Sequence, residues 1–262
     1  AIGPGADRAD GAIETIWGGY LANAGNPDGL EAIGALPADA WKDPSAAALG
    51  SSGAAGDGRP VGVVDVAKGG TSGRRSAALE AVREEAAGCR RCALWKPATQ
   101  TVFGEGPVDA LLMLVGEQPG DQEDLAGRPF VGPAGQMLDR ALAEAGVDRS
   151  ATYVTNAVKH FKFEPRGKRR IHARPQAPEI KACHWWIDQE RMIVKPRITV
   201  ALGATAARAL LGRVVTIGRT RGQPITLADG GECWVTIHPS YLLRIDDRGR
   251  AEREFDAFVA DL

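Results

Sequence analysis

The sequence predicts an α/β protein, a three-layer α/β/α fold around a central, mostly parallel four-stranded sheet. Apolar runs of strand length alternate with segments whose apolar residues recur at helical spacing, the pattern of parallel strands joined by crossover helices. A glycine-rich loop, Gly116 to Gly135, directly follows one of these runs, as ligand loops do at the carboxyl edge of an open parallel sheet. The 262 residues are 44% apolar, enough for a core. No apolar run approaches the roughly 20 residues that span a bilayer.

Residues 1–45 read as a short helical segment, with Ile16, Trp17, Tyr20 and Leu21 at amphipathic spacing and too little mass for a core of its own. Residues 46–75, rich in Gly, Ala and Ser, read as a flexible linker. The folded domain is expected over residues 76–262. It opens with a helix from Ser76, followed by Cys89 and Cys92. Leu111 to Val115 is the first strand, and Met137 to Ala145, behind the glycine-rich loop, is a helix. Thr152 to Val158 is the second strand, followed by a basic stretch and a helix containing Cys183. Ile198 to Leu202 is the third strand, ended by Gly203, and Ala204 to Leu211 is a good helix former. Trp234 to Ile237 is the last strand and delivers His238 to the same edge as the Gly116 loop; a final helix closes the order. The start of the chain has no basic-then-apolar signal pattern, so a cytoplasmic protein is expected.

A net charge of -1 gives no global argument for nucleic-acid binding. Local charge does: Lys159 to Arg174 holds seven Lys or Arg against the single acid Glu164, with Phe161 and Phe163 inside the same stretch. That composition suits a loop that tracks phosphates. At the neighbouring strand end, the amide of Asn156 offers a donor and an acceptor to the edge of a base. Glu117 and Asp121 place two carboxylates in the glycine-rich loop, which reads as an active-site loop. Cys89 and Cys92, in CRRC without a secretory context, point to a metal or redox role. Cys233 reads as a buried free thiol.

Four motifs, GEQPGDQEDLAGRPFVGPAG, TNAVKH, KRRIH and HPSYLLR, carry a resemblance that runs from about Glu80 to Phe258. The glycine-rich and HPS motifs resemble the family 4 uracil-DNA glycosylases. KHFKF followed by KRRIH is similar to the UdgX branch, which captures uracil-containing DNA covalently. Residues 1–45 look like the tail of a partner domain fused upstream of some UdgX proteins, so the start of the chain reads as a truncation.

The resemblance implies uracil excision with His172 as the nucleophile that attacks the sugar C1′, Glu117 accepting its hydrogen bond, and a single turnover. It also implies that His238 donates to the uracil O2 oxygen, that Phe130 stacks on the flipped base, and that Gln118 and Gly120 line the base pocket through backbone groups beside Asn156. Lys168, Arg169 and Arg170 would hold phosphates. Ser240 to Arg244 resemble a DNA-wedge loop, in which Ser240, Tyr241, Leu242 and Arg244 meet DNA and either Leu242 or Tyr241 fills the gap. A [4Fe-4S] cluster on Cys89, Cys92, His160 and Cys183 is implied, His160 standing where family 4 has Cys; imidazole can replace thiolate on iron. A structural zinc suits the same three Cys and one His. The expected partner is uracil-containing, single-stranded DNA, met by a monomer with no membrane contact. Two alternatives stay open: a turning-over glycosylase in which Glu117 or Asp121 activates water, and a reversible uracil or single-strand binding module.

Overall fold

The computed structural model describes residues 66–262, so the expectations for residues 1–45 and for residues 46–65 of the linker lie outside the described residues. Residues 66–75 differ from expectation: they belong to the first helix, α1 (Val66–Ala87). Its sequence from Ser76 is rich in Ala and Glu, which favour helix. Arg75 anchors the preceding turn by donating to the main-chain oxygens of Val108, Ile193 and Val194, the last two at the end of helix α4 (Ala177–Val194). Leu79 and Ala86 are buried on the face that meets α4.

Strand β1 (Leu112–Gly116) pairs in parallel with β2 (Thr152–Asn156) on one side and β5 (Ile198–Leu202) on the other. Between β2 and β5 a separate antiparallel hairpin, β3 (Phe163–Arg166) and β4 (Arg169–His172), takes the place of the expected basic loop. Strand β7 (Glu232–Thr236) lies parallel to β5, and a two-residue strand β6 (Ile225–Thr226) adds an antiparallel edge. The sheet order is therefore β2-β1-β5-β7-β6: the four expected parallel strands and a fifth short one.

Alternate residues of β1 face opposite layers, as a pleated strand requires. Met113 and Val115 join one buried cluster with Trp186 and Ile187 of α4. Leu114 joins the other, with Leu138 and Leu142 of α3 (Pro133–Glu144) and Phe255 and Phe258 of α8 (Arg248–Ala260). Three shorter helices complete the order: α2 (Asp121–Ala126) and, after α5 (Ala204–Leu211), α6 (Ile217–Thr220) and α7 (Pro239–Leu242). Among the described residues no helix is long and apolar enough to cross a membrane.

The chain leaves β1 toward β2 and later returns to the opposite side of β1 as β5, so the strand order reverses between β1 and β5. In open α/β sheets the crevice at such a point takes the ligand. Gly116, Asn156, Gly203 and His238 all lie at this carboxyl edge, and the register places Gly116 directly beside Asn156.

Candidate active site

The floor of the crevice is Gly116. A Cβ there would stand 2.4 Å from Asn156 Oδ1 and 2.6 Å from Phe130 Cζ, so only glycine lets both side chains close over the strand end. Asn156 is buried, and its side-chain amide has no hydrogen-bond partner among the described residues, which leaves donor and acceptor available. Phe130 is buried, not part of an exposed loop as expected from Pro129 and the flanking glycines. Its ring packs with Leu114 and Leu138 and stacks on His238 at 6.3 Å and 26°. Its φ of 56° is unusual for an aromatic residue and is tolerated where surrounding packing over-determines it.

His238 caps α7. The Ser240 N–H donates to Nδ1 at 3.2 Å, so Nδ1 is an acceptor and a neutral ring carries its proton on Nε2. Burial pushes its pKa down to about 4, helped by His172 and Arg244. The side chain is thus a neutral donor at physiological pH. Because the unfolded chain takes up this proton near pH 6.5 and the folded protein only near 4, stability is full above 6.5 and falls as pH drops between these values. His238→Asn should remove about 2 kcal/mol of that acid destabilisation between pH 7 and pH 5. Urea midpoints at pH 7 and pH 5 for both proteins check this.

His172 ends β4, beside Glu117. Its Nε2 lies 3.6 Å from Glu117 Oε1, an ion-pair distance and too long for the hydrogen bond expected between them. Glu117 Oε2 instead accepts from the hydroxyl of Thr205, at the start of α5. Partial burial lowers the His172 pKa below 6.5, the Glu117 carboxylate opposing and Arg244 assisting, so the ring is mostly neutral at pH 7. Gln118 Nε2 lies 2.9 Å from His172 Nε2, and its two hydrogens are shared among this nitrogen and the Lys162 and Ala173 carbonyls.

Gly120 is engaged differently from expectation, and Gln118 uses its side chain for a tie that the expectation, which concerned its backbone, did not include. The Gln118 side chain accepts from Lys162 N and donates to the Lys162 and Ala173 carbonyls, tying the glycine-rich loop to both ends of the hairpin. Gly120 has neither backbone group free: its N–H donates to Glu123 and its carbonyl accepts from Asp124 N.

The basic stretch divides sharply. Lys159 is wholly buried, 2.6 Å from the equally buried Glu190, whose carboxylate also accepts from Gly104 N and from the Tyr153 and Thr155 hydroxyls. Breaking such a pair from one side typically costs about 3–5 kcal/mol. Lys162 pairs with Glu179, and Arg174 approaches Glu117 at 3.9 Å. Arg170, expected on phosphate, turns inward: it donates to Asp121 at 2.6 Å and to the buried Asp124, and lies over the Phe161 and Phe163 rings. Asp121 is correspondingly committed to Arg170. Arg166, Lys168 and Arg169, around the hairpin turn, are exposed and have no ion-pair partner among the described residues.

In the HPS segment, Ser240 holds His238, and Arg244 donates to the Ser240 hydroxyl at 3.3 Å. The Tyr241 hydroxyl accepts from Arg250 at 2.8 Å. Leu242 is buried in the cluster of Leu138 and Phe255, whereas Leu243 is 48% exposed. Of the two residues expected at the wedge, Leu242 is therefore turned away from solvent, because the helical turn of α7 directs it into the core, while Tyr241 is half-buried.

The three cysteines expected as ligands lie in the turn after α1 and in α4. Cys89 Sγ accepts from Trp186 Nε1 at 3.2 Å and Cys183 Sγ from Lys159 N at 3.1 Å, while Cys92 is half-buried. His160 is buried; its Nε2 meets the Thr101 hydroxyl at 2.9 Å and its Nδ1 has no partner among the described residues. Burial pushes the Cys183 thiol up to about 12. Among the described residues, no group of three His, Cys, Asp or Glu side chains stands arranged to hold a metal ion. Cys233 is buried and free.

Sequence reasoning passed over Glu123, Asp124, Thr205 and Arg166. Glu123 had a local signal, since a Glu three residues after a helix-capping position reaches back to its N–H. Asp124 and Thr205 had none, as their partners Thr99 and Glu117 are distant in sequence.

The uracil DNA glycosylase superfamily profile matches residues 103–262. A type-4 uracil-DNA glycosylase of Thermotoga maritima is 40% identical over 171 residues, 65% of this chain and 85% of that protein. A type-4 uracil-DNA glycosylase of Pyrobaculum aerophilum is 38% identical over 63% of this chain and 85% of its own. A type-5 uracil-DNA glycosylase of the same organism is 31% identical over 58% and 71%. With its crevice at the strand-order reversal and its Asn156, Phe130 and His238 gathered there, the chain belongs to the uracil DNA glycosylase superfamily.

Proposed function

We propose that the protein excises uracil from DNA in repair and then captures the abasic sugar covalently through His172. The observation that carries this reading is the position of a mostly neutral imidazole, His172, beside the Glu117 carboxylate at the mouth of a crevice lined by Asn156, Phe130 and His238. Asn156 reads the flipped uracil edge, and Phe130 stacks on its face. As the N1–C1′ bond breaks, its electron pair leaves on uracil, and His238 Nε2–H donates to O2 where that charge develops. Glu117 stabilises the cationic sugar. The lone pair of His172 Nε2 then bonds to C1′, giving an imidazolium that loses its Nδ1 proton to solvent. The products are free uracil and a protein–DNA adduct.

The test is denaturing electrophoresis after heating in detergent with a uracil-containing single-stranded oligonucleotide, against a thymine control. A uracil-dependent shifted band supports capture. Alkali-labile breaks at uracil without that band support turnover by water that Glu117 orients, a reading favoured by the similarity to the type-4 glycosylases. Neither signal leaves reversible binding.

Single-stranded DNA suits the site, because an unpaired base costs less to extrude. Arg166, Lys168 and Arg169 would meet its phosphates, and Leu243 would fill the gap left by the base. Replacing the three cations by Ala should reduce the slope of log affinity against log salt by about 2 on a uracil-free single strand, with anisotropy titrations as the measurement. The protein acts as a monomer in this scheme.

A [4Fe-4S] cluster on Cys89, Cys92, His160 and Cys183 belongs to the same proposal. The unpartnered His160 Nδ1 and the N–H donors on two sulfurs fit such a group. Its contribution would be structural, fastening the turn after α1 to α4. Metal analysis of the purified protein distinguishes iron from the zinc alternative.

A further inference from the structure

Glu123 is a buried carboxylate that the chemistry above leaves without a task. It lies in the first turn of α2, 8% exposed, with both oxygens engaged. Oε2 accepts from Gly120 N at 3.0 Å and Oε1 from Gly132 N at 2.7 Å. Gly120 immediately precedes α2 and Gly132 immediately precedes α3, so one carboxylate caps the positive ends of two helices. Both capped residues are glycines that admit it: a Cβ at Gly120 would stand 2.6 Å from Oε2, and one at Gly132 2.9 Å from Oε1.

Phe130 lies between these two points, just before the second. Its φ of 56° is one that side chains rarely adopt, and its carbonyl lies so close to Gly135 that a Cβ there would come within 1.8 Å. A backbone held this way needs its surroundings to fix both ends of the segment. Gly135 fixes the far side of Phe130, and Glu123 fixes Gly132 against Gly120.

We propose that Glu123 is a positioning residue for uracil excision: its carboxylate clasps Gly120 to Gly132 and so holds the Phe130 ring in its stacking position opposite His238. The proposal rests on the reading of Phe130 as the platform for the flipped base. Two N–H donors require two acceptor oxygens. Glutamine supplies one and turns its NH₂ against the other N–H, and aspartate is too short to span both.

Single-turnover uracil release, with protein in excess over a uracil-containing single strand, gives a maximal rate and a half-saturating concentration for each variant. Glu123→Gln should raise the half-saturating concentration about tenfold, with a smaller change in maximal rate, and Glu123→Asp should match it. In a Phe130→Ala background, Glu123→Gln should add less than about twofold, because its effect passes through the ring. Gly132→Ala, whose Cβ intrudes on Oε1, should reproduce the shift if Glu123→Gln does not fold. Wild-type affinity in Glu123→Gln, or a full multiplicative effect in the double variant, overturns the proposal while the stacking reading stands. Unchanged parameters in Phe130→Ala alone overturn the stacking reading and the proposal with it.

Discussion

His172→Ala is expected to eliminate the heat-stable adduct on uracil DNA, from stoichiometric capture to none. No other described group near Glu117 offers a comparable lone pair: Gln118 is tied to the hairpin and Arg174 is a cation. Uracil release should persist and become catalytic, because Glu117 keeps its bond from Thr205 and can orient water in the vacated space. The side chain is 49% exposed, so folding stability should change by no more than about 0.5 kcal/mol. A denaturing gel with parallel measurement of free uracil reads both outcomes, and a persisting adduct would remove His172 from the mechanism. In the unaltered protein the capture rate should be nearly flat between pH 7 and 8. It should fall once pH drops through the lowered His172 value, because the imidazolium has no lone pair to give.

His238→Ala should slow uracil release by roughly 10²–10³-fold, the usual cost of removing one donor from a developing oxyanion. The size follows from the preorganisation: Ser240 fixes Nδ1 as acceptor, and burial keeps the ring neutral down to about pH 4. Donation from Nε2 therefore needs no reorganisation and no change of protonation across physiological pH. Ser240→Ala, which keeps the main-chain N–H, should cost much less. Single-turnover release of uracil from a single-stranded oligonucleotide checks both, and a rate within about threefold of wild type for His238→Ala would assign the O2 contact elsewhere.

The strands and their common edge were legible in the sequence because they are written locally. Leu111 to Val115 and Ile198 to Leu202 are apolar runs bounded by glycine, and a strand's carboxyl end is wherever such a run stops. The loop after β1, Asn156 and His238 could be placed on that edge from strand order alone. The turn after His238 was less legible, because whether Leu242 or Leu243 faces the core depends on the phase of a single turn.

The partner of each charge was not legible at all. Lys159 and Arg169 are alike as letters in one basic stretch, yet the first is sealed against Glu190 on α4 and the second is exposed on the hairpin. Arg170 finds Asp121 and Asp124 across the site, and Glu123 finds Gly132 on a second helix. The sequence by itself determined the α/β architecture, the edge that carries the site and the residue types gathered there, since apolar period and glycine position act over a few residues. Tertiary structure alone decided which cations remain free for phosphate, which carboxylate stands beside His172 and which one holds Phe130. Ion pairs and hydrogen bonds are settled by distances of a few ångströms between residues tens of positions apart, and only the folded packing sets those distances.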